Sequence, residues 1–357
     1  MKYKLLCIDI DGTLLDDQKK LLPQVKESIK KVAGKGVHIV LASGRMPAGV
    51  GLIEKELGVK CIKACSAGTY ILSGDECIGA GYLSLETMKS VYTDIAEKYK
   101  IPLWIFCGKS WYVTSTDQYV EREIHTIKRE PVVVDAISLA GKWECESTRP
   151  NKLLVAAEPQ KLKHIYKEMK EKDWKDIDMA CSAADFIEIF PKGMTKGRAL
   201  FLICNKLGIN IEETVAFGDQ ELDIPMIEAA GIGIAMGNAI QELKDKAAFI
   251  TKSNNEAGIA YAIENYLEKG GIIMQKFTFK VKDELGLHAR PAGELVKEAV
   301  KCSSKVTIRK GDKTGDAKRI FNVMGLSVKF GEEVEITVEG ENEEAEAAEL
   351  KKFTENI

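Results

Sequence analysis

KLLCIDIDGTLLDD, residues 4–17, decides the reading of this chain. Leu5, Leu6, Cys7 and Ile8 form an apolar run that stops at Asp9, and Asp11 follows before Gly12-Thr13. A short apolar run between helical patterns reads as a buried parallel strand. Side chains two apart on an extended chain face the same way, so both carboxylates are expected in one pocket. Two more runs behave alike: VHIVLA (37–42) runs into Ser43-Gly44, and TVAF (214–217) into Gly218-Asp219, with Asp223 close behind. Helical patterns lie between and after them, at Val25 to Val32, at 199–207 and at Leu222 to Ala230. In an open α/β sheet, ligands bind outside the carboxyl ends of the strands. Asp9, Asp11, Ser43, Asp219 and Asp223 would meet there.

Acids gathered so closely do not all stay ionised without a cation. A hard divalent ion with oxygen ligands answers this, and Mg²⁺ commonly bridges carboxylates to a phosphate. Phosphoryl transfer needs a nucleophile, a proton donor for the leaving alkoxide, and positive or N–H groups around the moving phosphoryl. Asp9 can attack phosphorus, and Asp11 can serve as acid and then as base toward water. Ser43, Gly44 and nearby backbone N–H groups can hold an oxygen, and Lys196 can neutralise one. A lone Asp at a strand's end is more often a turn or N-cap residue. Here DIDGTLLDD, LASGR, FPKGMTKGRAL and VAFGDQELDIPM occur together and in order.

The rest of the chain sets the frame. Its 357 residues suggest roughly two to three domains. Lys+Arg (51) nearly balance Asp+Glu (54), which removes any strong field toward nucleic acid or acidic membranes. The 9 cysteines lack metal-ligand spacing and read as reduced thiols. No apolar run approaches the ~18 residues of a membrane span, and no signal-peptide core opens the chain. A cytoplasmic protein is expected. Residues 82–188, with Trp104, Trp111 and Trp143, read as a second α/β unit inserted into the first, whose sheet pattern resumes at FIEIFPKG (186–193). A seam follows in YLEKGGII (266–273), and Met274 opens an alternating strand, MQKFTFKV.

Residues 1 to about 270 resemble a haloacid dehalogenase (HAD) superfamily phosphatase of the Cof type. The resemblance rests on Asp9 to Thr13, Ser43, Lys196, Gly218-Asp219 with Asp223, and AGIGIAMGNA (230–239) with TKSNNEAGIA (251–260). It implies a Rossmann-like core (1–81 and 189–269) with an inserted α/β cap (82–188). It also implies Asp9 as nucleophile and Asp11 as acid/base. Mg²⁺ would be held by the Asp9 carboxylate, the Asp11 main-chain carbonyl and Asp219, with Asp223 in the same acidic motif. Two departures stand out. Leu222 replaces the usual Asn of the acidic motif, and Ala67-Gly68-Thr69 replaces the usual Asn-Gly-Ala. Each removes an amide able to touch phosphate, substrate or the nucleophile's surroundings.

The end of the chain carries a second pattern, ELGLHARPAGEL (284–295). Ala292, Leu295, Val296, Ala299 and Val300 give a helix with one buried face, Pro291 suits its first turn, and His288 falls near the N-cap. Backbone N–H groups and the helix dipole there favour an anion and a neutral imidazole. A phosphoryl group on His288 would suit, with Arg290 pairing to it. Residues 274–357 resemble the phosphocarrier HPr of the bacterial sugar phosphotransferase system (PTS), an α+β open-faced sandwich. GLHARPA supplies the phosphorylated His288 and Arg290, and AKRIFNVMGLSV (317–328) the short second helix, with Ile320, Phe321 and Met324 for partner docking. Arg319 stands where many such proteins carry a regulatory serine.

These resemblances imply a Mg²⁺-dependent phosphatase acting on a phosphorylated metabolite, most plausibly a sugar phosphate, through an aspartyl-phosphate. The appended carrier would exchange phosphate with enzyme I and other PTS proteins. The alternative is a PTS carrier or sensor with a catalytically degenerate HAD domain.

Overall fold

A computed structural model of the chain describes residues 3–172, 174–268, 275–340 and 343–355. It forms two compact units, residues 1–262 and 263–357. The seam at Gly270-Gly271 and Met274 lies outside the described residues. No helix among the described residues is long and apolar enough to cross a membrane.

The first unit holds two sheets. The larger has eight strands, with Leu5–Asp9 between Thr214–Gly218 on one side and His38–Ala42 on the other. Ile232–Ala235 and Phe249–Ile250 continue outward from Thr214–Gly218, and Cys61–Cys65 from His38–Ala42, all parallel. An antiparallel hairpin, Tyr70–Ser73 and Glu76–Ala80, closes that edge. Every residue of Leu5–Asp9 is buried, as a central parallel strand covered on both faces requires. The chain builds outward on one side first and returns at 214 on the other. The crevice at this reversal opens where Asp9, Ser43 and Asp219 leave their strands.

The second sheet, six strands within 103–191, is largely antiparallel. Its strands alternate. Leu103, Ile105, Leu153, Val155, Ile187 and Ile189 pack under the helices carrying Met88, Trp143 and Ile165. Trp104, Phe106 and Leu154 point the other way, with Trp111 and Val120, and Met46 of the first layer joins them. The strand Phe186–Pro191 corrects the expected boundary. It pairs with Lys152–Ala156 and Ile177–Ala183 and so belongs to the inserted layer, not to the resumed first sheet. An apolar-rich strand looks alike in either sheet, and only its partners distinguish them.

The second unit has four antiparallel strands in the order 275–280, 333–339, 305–310, 313–316. The strand Lys313–Asp316 was not expected, because KTGD is polar throughout. Helices Ala289–Lys301, Ile320–Gly325 and Glu343–Thr354 accompany the sheet. Leu295, Ala299, Val306, Ile308, Ile336, Val338 and Leu350 form the core. Val300, expected on the buried face, is exposed.

Candidate active site

Three of the four expected acids come together. Asp9, Asp219 and Asp223 are buried, and a carboxylate oxygen from each lies within 4.8 Å of the others. Lys196 opens the helix Lys196–Leu207 just after the N-cap Thr195, and its Nζ stands 2.5 Å from Asp9 Oδ1 and 2.5 Å from Asp223 Oδ1. The other Asp223 oxygen accepts the N–H groups of Asp219 (2.9 Å) and Gln220 (3.0 Å), which pins the loop. Asp219 accepts from Thr13 Oγ1 at 2.7 Å and Gln220 Nε2 at 3.0 Å. Gly12 makes the approach possible: its φ is +85°, and a Cβ there would stand 2.4 Å from Asp219 Oδ2.

Burial, joined by repulsion from Asp223, pushes the Asp9 carboxyl well above its ordinary range, although Lys196 opposes this. Burial also raises Asp219, with the Thr13 hydroxyl pulling it back. For Lys196 burial disfavours the charge, but Asp223 and Asp9 outweigh it and keep the ammonium protonated. Three carboxyl groups around one ammonium make a buried, oxygen-lined cluster. Such a donor set fits a hard divalent cation.

Asp11 departs from expectation, for its carboxylate does not join this cluster. Arg45 grips it with two parallel contacts, Nε–Oδ2 and a terminal guanidinium nitrogen–Oδ1, both 2.8 Å, and Lys19 adds a third at 2.9 Å. Burial would raise Asp11, but the Arg45 fork prevails and holds it down at about 2. Asp11 thus stands ionised beside the cluster. Alternation does not carry through to Asp11 because the strand ends at Asp9 and the chain turns from Ile10 onward, with the Leu14 N–H bonding back to Asp9 O at 3.2 Å. Arg45 was legible only as the residue following Ser43-Gly44.

Ser43 is buried, and its hydroxyl accepts the Arg45 N–H at 3.1 Å. Its own N–H is taken by Ala64 O at 2.9 Å, so it is not free to hold an oxygen. The departures at Ala67 and Leu222 fall at one place in the fold. Both join one apolar cluster with Ala180 and Phe190 of the inserted layer. Ala67 keeps a left-handed backbone, φ 60°, where Asn is favoured over other non-glycine residues. One apolar cluster thus takes in both of the positions that lack an amide.

In the second unit His288 is the N-cap residue of Ala289–Lys301, as expected, and makes no side-chain capping bond. Its Nε2 lies 3.3 Å from Asp283 Oδ1. Gly286, φ +74°, lets the loop pass within reach of Val328 O, which a Cβ would meet at 2.3 Å. Arg290 is exposed and contacts Glu294 at 3.5 Å, one turn along the helix. Phe321 and Met324 are exposed, whereas Ile320 packs against the core. Leu285, also exposed, was not anticipated. Arg319 stands at the N-cap position of the short helix without a side-chain capping bond and contacts Asp316 at 3.4 Å.

Comparison with known proteins accords with both halves. The family of haloacid dehalogenase-like hydrolases matches residues 6–263. The family described as the PTS HPr component phosphorylation site matches residues 275–356. The 5-amino-6-(5-phospho-D-ribitylamino)uracil phosphatase YwtE of Bacillus subtilis is 31% identical, over 74% of this chain and 98% of that protein. A haloacid dehalogenase-like hydrolase from Bacteroides thetaiotaomicron superimposes with a TM-score of 0.66 at 28% identity, over 74% of this chain and 99% of that one. The HAD subclass IIB sugar phosphatase BT4131 shares the fold, with a TM-score of 0.63 at 24% identity over 73% and 98% of the two chains. This chain belongs to the haloacid dehalogenase-like hydrolases and carries an HPr domain at its C-terminal end.

Proposed function

We propose that the chain is a Mg²⁺-dependent phosphomonoesterase working through an aspartyl-phosphate, joined to a phosphocarrier domain that takes a phosphoryl group on His288. The observation that carries the reading is Asp9 itself. It is a buried carboxylate at a strand's end, tied to Lys196 at 2.5 Å and sharing a carboxylate cluster with Asp219 and Asp223.

Asp9 attacks phosphorus while the bond to the leaving alkoxide breaks, and Asp11 gives that alkoxide its proton. Asp11 then takes a proton from the water that attacks the acyl phosphate, releasing orthophosphate and restoring Asp9. Asp11 can serve as acid only once Arg45 loosens, because the fork keeps it ionised at neutral pH. Lys196, the Ser43 hydroxyl and Gly44 hold the phosphoryl oxygens. Asp9, Asp219, Asp223 and the Asp11 main chain would hold Mg²⁺, which offsets charge on the phosphoryl group.

The substrate is a small phosphorylated metabolite. A sugar phosphate is favoured by the attached HPr domain and by the subclass IIB sugar phosphatase that shares the fold. On the second unit, a phosphoryl group on His288 would meet the helix N-terminus, and Arg290 needs only to leave Glu294 to reach it. Enzyme I and other PTS proteins are its partners, and the cytoplasm its compartment. The working division is core 1–81 and 192–269, cap 82–191 so as to include the strand to Pro191, and carrier 274–357.

The apolar cluster that takes in Ala67 and Leu222 gives the alternative, a sensor with an inactive HAD domain, its one support. Against it, Asp9 in contact with Lys196 and clustered with Asp219 and Asp223 supports the enzyme reading. Two assays separate the readings: hydrolysis of a phosphorylated-metabolite panel with Mg²⁺, and labelling of His288 with enzyme I and phosphoenolpyruvate. Labelling without hydrolysis would select the sensor.

A further inference from the structure

The strand Phe186–Pro191 sends Ile187 and Ile189 into the interior of its own layer, and Glu188 and Phe190 the other way. Phe190 packs with Ala67 and Leu222. Glu188 meets Lys152 of the adjacent strand, Oε2 3.3 Å from Nζ, with the two side chains only 5% and 3% exposed. Lys152 Nζ also donates to the Gly44 carbonyl at 2.7 Å and lies 4.7 Å from the centre of the Phe106 ring. Glu188 fits so closely that a Cβ at Gly44 would stand 2.9 Å from its Oε1.

A fully buried ion pair is a poor device for stability, since a well-packed apolar pair often does as well or better. What this pair touches is more informative. A trans peptide points its C=O and N–H in opposite directions. Fixing the Gly44 carbonyl therefore fixes the Arg45 N–H, and that N–H donates to Ser43 Oγ at 3.1 Å. With one acceptor site of the hydroxyl filled, the Ser43 O–H is directed away from the Arg45 N–H. We propose that Lys152, held by Glu188, is a positioning residue: from the inserted layer it fixes the 44–45 peptide and so presents Ser43 as a donor to the phosphoryl group. The last step rests on the phosphatase reading above.

The test is Lys152→Met/Glu188→Leu, which removes both charges and leaves neither orphaned. Amide exchange is measured without ligand, and orthophosphate inhibition, KM and kcat with p-nitrophenyl phosphate and Mg²⁺. Exchange at Gly44–Met46 should quicken about tenfold while the central strand Leu5–Asp9 is unchanged, as loss of a charge-assisted hydrogen bond implies. The orthophosphate inhibition constant and KM should rise by a similar factor, with kcat less affected. Unchanged exchange at Gly44–Met46 would overturn the proposal, and so would quickened exchange with unchanged phosphate affinity. If the wild type neither binds orthophosphate nor turns over substrate, the phosphatase reading fails and Ser43's role with it, whereas the exchange result still decides the peptide contact. Should the double variant misfold, Lys152→Met/Glu188→Gln, which keeps the volume closer and still removes the bond to the Gly44 carbonyl, is read in the same way.

Discussion

Lys196→Met probes the cluster where its electrostatics are most exposed to test. Lys196 is 5% exposed, and its partners Asp9 and Asp223 are 8% and 1% exposed. At 2.5 Å and an effective dielectric of ~20, each contact supplies about 7 kcal/mol of attraction, most of it offset by dehydration of the ions. Removing one member of such a set, with the others left buried and charged, costs about 3–5 kcal/mol. The loss should appear in the amide protection of Leu5–Asp9, the central strand, as exchange quickened by at least about 150-fold at pH 7 in EDTA. Excess Mg²⁺ should restore much of it, because a cation bound only to the folded state stabilises by mass action. The pH sign is also fixed. Asp9 already sits above its unfolded value, and losing Lys196 removes the main influence lowering it. A carboxyl raised on folding favours the folded state at low pH and loses that contribution as pH rises through the raised value. The penalty should therefore shrink on acidification. A variant as well protected as the wild type at pH 7, or one whose deficit is indifferent to Mg²⁺ and pH, would refute this picture of the cluster.

Gly12→Ala should abolish Mg²⁺-dependent turnover and destabilise by about 1–3 kcal/mol, since the new Cβ meets Asp219 on a left-handed backbone; calorimetry and a hydrolysis assay check both. Arg45→Met should return Asp11 from about 2 toward an ordinary ~4. Asp11's stabilising contribution, about 1 kcal/mol after screening at this partly exposed site, is present above the unfolded value and lost as pH falls through 2. Urea unfolding should thus separate wild type from Arg45→Met at neutral pH and bring them together near pH 2; a constant gap would contradict the Arg45 fork. His288→Ala should abolish acid-labile labelling by enzyme I and phosphoenolpyruvate, and a label found on His164 instead would sink the assignment.

The strands were legible because burial on both faces writes itself as an apolar run, and their polar ends marked the pocket. Asp9, Ser43 and Asp219 could be named on that basis, with Asp223 close behind, whereas Lys196, at the start of a helix, rested on the family resemblance. The partner of Asp11 could not, since a side chain two residues on shares the pocket only while the strand stays extended, and the strand ends at Asp9. The layer to which Phe186–Pro191 belongs was equally hidden, because strand pairing is a long-range property that residue type does not encode. Lys152 and Glu188 lay among ordinary charged residues, and only folding shows that both are buried against Gly44. Ala67 and Leu222, 155 positions apart, looked like independent losses until Phe190 joined them.

Asp9→Asn tests the central claim most directly. The substitution keeps shape and volume and removes the nucleophilic carboxylate. With Mg²⁺ and a panel of sugar phosphates and other phosphomonoesters, the wild type should hydrolyse at least one, and Asp9→Asn should fall by several orders of magnitude with amide protection of the central sheet intact. Hydrolysis that survives Asp9→Asn in a folded protein would show that Asp9 is not the nucleophile.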